Sequence, residues 1–439
     1  MLTIGIYCHS LSGGGIERVS ATLARLWLER GYQVVFLVQR SLTAADHFQV
    51  PPGVVSVLLP MDDHDRHAVW HRTIAAERIG FVIYQFQNDC SIERDARSIR
   101  EAGAKLIVCI HETVFRDRFY SNRVPLAGGR SLRYEADRIV CLSPVEALYW
   151  QRVFRKPVSC IYNPMSLAVA ASVRQPEGCD VIWVGRFSNE KRLQDAIAAY
   201  ALVARRFSGG RLIILGGREC EIAGYRRQAA RLGLSRRIVF AGMVKNVRAY
   251  LECSRVYLLT SHNESFSLSL AEAKACGLPT VMYELNYLPL ARRDQGILAV
   301  PKGDVAGLAA AVLRLLNDAA LCRRLGEEAI KSLEEFTNER VLGAWDRLFA
   351  QLAGAGAATG SSPDAVESTE NYRLLVDELI ESWEYYTFEN TWKLKFMDWL
   401  STRIPAAWLR RLVIRGSGDL RVFYRRPFGS KPGCAPSPS

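Results

Sequence analysis

No apolar run in this 439-residue sequence approaches the ~20 residues that a membrane-spanning helix needs. An integral helical membrane protein is therefore excluded. The opening residues, Met1-Leu2-Thr3-Ile4-Gly5-Ile6-Tyr7, lack a basic segment ahead of the apolar one. They read as a first strand, not a signal peptide, and a cytoplasmic protein is expected. Cys-x-x-Cys pairs are also missing. The eleven cysteines are scattered, several of them (Cys8, Cys109, Cys141) inside strand-like runs. That is how free thiols are used in a reducing compartment, and it argues against a disulfide framework or a zinc site. The first glycine-rich turn matches no GxGxxG pattern, and no Walker A lysine follows it, so two common phosphate-binding fingerprints are absent.

What is present points to an α/β chain. Apolar residues make up 49% and charged residues 23%, an ordinary globular composition. At roughly 100–200 residues per domain, two domains and an appendage fit the length. Strand-like runs at 4–8, 34–38, 81–84, 105–110 and 139–142 alternate with helical patterns such as Ile16, Val19, Leu23, Leu26 and Trp27. Ser143-Pro144-Val145-Glu146 opens a helix with a capping box and proline at its first position. The pattern breaks at Tyr162-Asn163-Pro164-Met165 and then resumes. Strands are expected at 181–184, 212–215, 238–240, 256–259 and 298–300. Helices are expected at 192–207, near 225–232, and at 266–276, 305–316, 321–336 and 338–352. Such alternation implies parallel sheets with helices on both faces. The predicted organisation is a first domain over 1–162, an interdomain linker over 163–178 and a second domain over 179–352. A flexible Ala/Gly/Ser-rich linker over 353–365 and a C-terminal extension over 366–439 follow.

Four segments carry chemistry. Ser12-Gly13-Gly14-Gly15-Ile16-Glu17-Arg18 joins the first strand to the first helix. Without Cβ atoms, backbone N–H groups there can approach an anion closely; a tight strand–helix turn explains the same glycines. His111-Glu112 follows the strand at 105–110, at the carboxyl end where open parallel sheets bind ligands. His111 is either a donor to a phosphate or sugar hydroxyl or a loop residue without a ligand. Val184-Gly185-Arg186-Phe187-Ser188-Asn189-Glu190-Lys191 sets two cations at a strand's carboxyl end beside a helix start. Arg186 and Lys191 suit a diphosphate, the alternative being a solvated surface pair. Finally, Glu264-Ser265-Phe266-Ser267-Leu268-Ser269-Leu270-Ala271-Glu272 spaces two carboxylates across a loop and a helix start. Glu272 would lie ~12 Å, about two turns, inside the helix. One carboxylate could hold a sugar at the helix mouth and the other a ribose, with the diphosphate between them.

These residues resemble retaining glycosyltransferases of family 4, the group 1 type, over about residues 1–352. The shared features are Gly14-Gly15-Ile16-Glu17, Gly185-Arg186 with Lys191, Glu264 with Glu272, and the continuation Ala273-Lys274-Ala275-Cys276-Gly277-Leu278-Pro279. Three motifs in the right order are a specific match. The resemblance implies a GT-B fold, two Rossmann-like doubly wound domains facing across a cleft, followed here by a helical extension. It implies that Gly14 and Gly15 admit the donor phosphates, and that Gly185, Arg186 and Lys191 clamp the diphosphate. Glu264 would contact the transferred sugar, Glu272 the ribose, and His111 the donor sugar from the opposite domain. Gly216, Gly217, Gly242, Met243 and Val244 would line the nucleotide pocket, and Ser265, Phe266, Ser267 and Leu268 the phosphate-facing turn. The family often has glycines where this chain has Ser265 and Ser267; the hydroxyls either add hydrogen bonds or alter donor preference. No tightly bound cofactor and no metal are expected. The donor is a UDP- or GDP-sugar, and the acceptor a saccharide or lipid-linked molecule of bacterial polysaccharide, lipopolysaccharide or glycolipid assembly.

Asp62-Asp63-His64-Asp65 contains a D-x-D triplet, and His64, His67 and His71 could share a helix face. A polar helix start explains the aspartates more simply than a metal does. The formal charge of +12 is concentrated at the end: residues 391–431 hold ten Lys/Arg and two acidic residues. Trp392, Phe396, Trp399 and Leu400 recur there at helical spacing, as do Trp408, Leu409, Leu412 and Val413. Such a basic aromatic segment suits an anionic membrane surface, on the inner face of the cytoplasmic membrane, or packs on the body or another subunit. Two other functions compete. A sugar-nucleotide epimerase shares the architecture. A noncatalytic nucleic-acid-binding protein would use the tail but leave the four charged site residues without a role, so no nucleic acid is expected.

Overall fold

The computed structural model describes residues 2–11, 14–40, 50–85, 91–115, 136–173, 178–292, 295–354 and 368–385, the side chains of the last segment to residue 380. The first lobe runs β1 (Thr3–Cys8), α1 (Gly15–Glu29), β2 (Gln33–Val38), β3 (Val55–Leu58), α2 (Asp63–Glu77), β4 (Ile79–Tyr84), α3 (Ile92–Glu101), β5 (Lys105–Cys109), β6 (Arg138–Cys141), α4 (Pro144–Phe154) and β7 (Val158–Cys160). The second runs β8 (Val181–Val184), α5 (Leu193–Ala204), β9 (Leu212–Leu215), α6 (Glu219–Arg231), β10 (Ile238–Gly242), α7 (Val247–Glu252), β11 (Val256–Leu259), α8 (Leu268–Ala275), β12 (Thr280–Tyr283), β13 (Ile297–Val300), α9 (Val305–Asn317) and α10 (Ala319–Lys331). Two further helices follow, α11 (Asn338–Leu352) and α12 (Thr369–Tyr385).

Each lobe is built on one all-parallel sheet. The strand orders are β3-β2-β1-β4-β5-β6-β7 and β10-β9-β8-β11-β12-β13. All six residues of β1 are buried, as expected of a strand covered on both faces, which reads as a continuous apolar run. Each sheet has its own core. Ile4, Ile6, Trp27, Phe36 and Ile83 belong to the first; Trp183, Tyr200, Ile214, Leu258 and Tyr283 belong to the second. The strand order reverses between β1 and β4 and again between β8 and β11. Helices on either side of such a switch point diverge, which opens a crevice beyond the strands' carboxyl ends. The glycine-rich turn follows β1, the Arg186–Lys191 loop follows β8 and Glu264 follows β11. Topology alone thus gathers these segments at the two crevices.

Local chemistry explains the helix starts. Asp62 caps α2, its Oδ1 accepting from the His64 and Asp65 amides at 3.0 and 3.2 Å. The D-x-D triplet is thereby a helix cap. Ser143 Oγ accepts from the Glu146 amide at 3.1 Å and caps α4.

Besides the short strands β3 and β7 and the helices α3 and α7, none of which was anticipated, three details differ from the sequence reading. The buried strand β12, four residues long, was not anticipated; it sits between β11 and β13. The helix expected over 266–276 begins at Leu268 because Ser267 takes a left-handed conformation, φ 65°. The third concerns α11, assigned from its chain position to the second domain. Its apolar face enters the first core through Val341, Leu342, Trp345, Leu348 and Phe349. Trp345 meets Trp27 edge-on at 5.5 Å, and Phe349 lies 4.8 Å from Phe81. Arg30 pairs with Glu339 at 2.5 Å and also with Asp346. The chain therefore crosses back to the first lobe before it leaves the body.

The acidic start of the C-terminal extension packs on the body. On α12, Leu375 and Leu379 are buried, Glu378 accepts from Lys302 Nζ at 2.5 Å, and the Tyr372 hydroxyl accepts from Arg152. The basic aromatic segment beyond it, like Ser12, Gly13 and most of the 353–365 linker, lies outside the described residues. Among the described residues no single helix is long and apolar enough to cross a membrane.

Candidate active site at the switch points

The loop after β8 begins with Gly185, whose amide donates to the Leu215 carbonyl at 3.1 Å. The Gly216 amide donates in turn to the Gly242 carbonyl at 2.7 Å. A Cβ on Gly216 (φ 113°) would lie 2.0 Å from the Gly185 carbonyl oxygen. Only glycine permits this approach, so the turns after β8, β9 and β10 form a row of near-bare backbone. Gly217 and Val244 are half-buried beside it, and Met243 is exposed. An exposed methionine at a row of bare backbone is compatible with the expected wall of a nucleotide pocket.

Lys191 sits in a 3₁₀ turn, Asn189–Lys191. Thr260, fully buried, fixes the backbone there: its Oγ1 donates to the Lys191 and Arg192 carbonyls at 2.8 and 3.0 Å and accepts from Trp183 Nε1 at 3.0 Å. So anchored, Lys191 Nζ reaches both carboxylate oxygens of Glu264, at 2.7 and 2.8 Å. The Lys191 and Glu264 side chains are 16% and 6% exposed. The Glu264 amide donates to the Tyr287 hydroxyl at 3.0 Å, and Tyr287 packs on Phe115 of the first lobe at 4.6 Å. Arg186 behaves differently. Its side chain is 72% exposed and lies 3.7 Å from Glu190. The two expected cations thus differ: Lys191 is largely buried and paired, and Arg186 is exposed.

From Ser265 onward the lobes touch. Ser265 Oγ donates to the His111 carbonyl at 2.5 Å. The His111 ring is held through Nε2 by Gln85 Oε1, also at 2.5 Å. Burial pushes the His111 pKa down to about 4, so the ring is neutral at pH 7 and acts as a hydrogen-bonding group. Phe266 is buried between Tyr162 and Phe336, at 6.1 and 6.0 Å. Gly15 faces Leu268 across the lobes: a Cβ there would contact Leu268 Cδ1 at 3.7 Å. Gly14 caps α1, with the Glu17 carboxylate folded over it. Glu272 accepts from Arg18 Nη1 at 2.5 Å and from Ser166 Oγ at 2.7 Å.

The geometry therefore brings Gly15, His111, Lys191, Glu264, Ser265, Leu268 and Glu272 into one contact network. Arg18, Ser166, Gln85, Thr260 and Tyr287 belong to it and were missed. Arg18 was legible in principle, being the next residue after Gly14-Gly15-Ile16-Glu17. The others act across sequence separations that no local spacing encodes.

Ser267, like Arg192 beside Lys191, is a non-glycine residue in a left-handed conformation. Its φ of 65° is the left-handed region, and its Oγ is buried without a hydrogen-bond partner. A left-handed non-glycine residue costs roughly 1–2 kcal/mol. Ser267→Gly is expected to stabilise the protein by about 1 kcal/mol, part of the gain being lost to the greater freedom of glycine when unfolded. Urea unfolding measures this; a destabilised variant would show that the hydroxyl itself supports the turn.

Comparisons with known proteins bear on the fold and the family. A family model described as "Glycosyl transferases group 1" matches residues 178–318, and one described as "Glycosyltransferase Family 4" matches residues 13–169. The chain is 32% identical over 173 residues to N-acetyl-alpha-D-glucosaminyl L-malate synthase of Bacillus anthracis, a match covering 38% of this chain and 44% of that protein. It is 30% identical to the lipopolysaccharide core biosynthesis glycosyltransferase LpsE of Rhizobium meliloti, over 49% of this chain and 64% of that one. The chain thus matches under two thirds of either relative's length. Among solved structures, Anabaena HepE in complex with UDP-glucose superposes with a TM-score of 0.67 at 15% identity, over 81% of this chain and 100% of that one. That likeness supports the two-lobed GT-B architecture.

Proposed function

We propose, from the matches to the group 1 and family 4 glycosyltransferase models, that this chain is a retaining hexosyltransferase that takes its sugar from a UDP- or GDP-sugar and passes it to a saccharide or lipid-linked acceptor of bacterial surface-glycan assembly. The observation that carries the reading is the Lys191–Glu264 pair at the second switch point, beside the first turn of α8. A sugar diphosphate at this crevice would meet Lys191, Arg186 and the free amides at the start of α8. These groups stabilise the charge that develops on the departing diphosphate where it forms.

In the reaction the sugar C1–O bond to the diphosphate breaks and a bond from C1 to the acceptor oxygen forms on the same face. The acceptor hydroxyl proton passes to the departing phosphate oxygen, so no protein nucleophile is required. Glu264 orients the sugar and Glu272, held by Arg18 and Ser166, the ribose. Neutral His111, on the opposite lobe, gives its one ring N–H to Gln85 and would accept from a sugar hydroxyl. Lys191, Arg186 and the helix amides would carry the charge that a metal carries elsewhere, so the reading is metal-independent.

The test is a thermal-shift screen of UDP- and GDP-sugars in EDTA-containing buffer. Binding to the folded state alone raises stability. One nucleotide class is expected to raise the melting temperature, and Arg186→Ala to abolish that rise without changing the unliganded melting temperature, since Arg186 is mostly exposed. No shift with any nucleotide would refute the reading.

A further inference from the structure

The helix pair α2–α3 carries a cluster that the donor site does not use. His67 and His71 stand one turn apart on α2, with ring centroids 4.3 Å apart. Glu101, the last residue of α3, faces them. One ring nitrogen of each histidine and a carboxylate oxygen of Glu101 lie within 4.8 Å of one another. His71 Nε2 is shielded from solvent, has no hydrogen-bond partner and sits 4.0 Å from Glu101 Oε2. His67 is oriented from behind: its Nδ1 is 2.9 Å from Ser98 Oγ. Ser98 gives its own proton to the Arg94 carbonyl at 3.0 Å, so its oxygen accepts the Nδ1 proton of His67. The tautomer is thereby set, and Nε2 of His67 keeps its lone pair. A hydrogen-bonded group behind a ligating imidazole is the usual support of a metal site.

We propose that His67, His71 and Glu101 bind one transition-metal dication of the zinc, nickel or copper class, with water completing the coordination. Two imidazoles and a carboxylate suit these metals, whereas magnesium and calcium select all-oxygen sets. At bonds of ~2.0–2.2 Å a tetrahedral ion holds its ligand atoms about 3.3 Å apart. The His71 and Glu101 side chains are 37% and 52% exposed, which leaves room for the rotation that closes the set. His64 does not join it; it is 94% exposed beside Asp65. Glu101 ends α3, and helices here run antiparallel to their strands. The cluster therefore lies away from the strands' carboxyl ends and would clamp α2 to α3 rather than take part in sugar transfer.

The experiment is calorimetric titration of ZnCl2 into the metal-free full-length chain, with CoCl2 followed by visible absorption in parallel. One equivalent is expected to bind in the micromolar range. His71→Ala and Glu101→Gln should each weaken it at least tenfold, Ser98→Ala less, and His64→Ala not at all. The cobalt spectrum should show no thiolate charge-transfer band, which separates this site from the exposed Cys220 and Cys253. Circular dichroism checks that each variant is folded, with His71→Gln as the replacement if His71→Ala is not. Millimolar binding, a thiolate band, or folded His71 variants that bind like the parent would overturn the proposal. No activity is read, so this result and that of the nucleotide screen stand apart.

Discussion

Replacing Lys191 by methionine is expected to lower kcat by 10²–10³-fold and to destabilise the protein at the same time. The first effect follows from charge. Removing one fixed donor from the place where negative charge develops typically costs about 10²–10³ in kcat, and Lys191 is the cation whose position the fold enforces through Thr260. The second follows from burial. Glu264 is 6% exposed, and its amide and carboxylate are both engaged. Taking away its partner leaves a buried carboxylate uncompensated. A fully buried pair broken in this way loses about 3–5 kcal/mol; with Lys191 16% exposed, about 2 kcal/mol is the reasonable expectation. The two effects separate in the double variant Lys191→Met/Glu264→Gln. Its uncharged pair should recover most of the melting temperature, while sugar transfer stays no higher than in the single variant. A double variant that regained activity along with stability would reduce Lys191 to a structural role.

Much of this site was legible in the chain because its chemistry sits on turns of fixed position. Strand runs followed by Gly14-Gly15, Gly185-Arg186 and Glu264 place those residues at strand carboxyl ends whatever else the fold does. What could not be read depends on long-range packing. Glu272 was assigned to the donor ribose, yet what holds it comes from Arg18, 254 residues away. The α11 pattern of Val341, Leu342, Trp345, Leu348 and Phe349 is a plain amphipathic helix. Periodicity shows that such a face is buried but not which lobe buries it. Ser267 shows the opposite case. The resemblance marks a position where glycine is common, and the left-handed backbone supplies the physical reason. Strand β12 was missed because four buried residues, Thr280-Val281-Met282-Tyr283, show no alternation and follow directly on the Gly277-Leu278-Pro279 turn.

Lys274 makes a second large effect expected, in stability. It lies on α8, two residues beyond Glu272, and is fully buried. Its Nζ bonds to Gln295 Oε1 at 3.2 Å and Ser332 Oγ at 3.1 Å, both neutral. Burial lowers its pKa from 10.5 to about 7. Above pH 10.5 the amine is neutral in both the folded and unfolded chain and costs nothing by ionisation. Between pH 10.5 and 7 the unfolded chain holds a proton that the folded chain does not, so stability falls as pH falls. Below pH 7 both states are protonated, and the penalty is complete. At about 1.36 kcal/mol per pKa unit the full penalty is on the order of 5 kcal/mol, slightly less at pH 7 itself. Lys274→Met keeps the apolar stem and removes the ionisation. It leaves Gln295 and Ser332 short of one partner, at about 1 kcal/mol each. A net gain of about 2 kcal/mol at pH 7 is expected, with a flatter dependence of stability on pH between 7 and 10. Urea unfolding of both proteins at pH 7 and pH 9.5 measures the gain and the slope together. If the variant kept the parent's slope, the lysine would be charged inside the fold, with compensation from a group other than Gln295 and Ser332. If it were instead less stable at both values, those two hydrogen bonds would outweigh the cost of burying the amine.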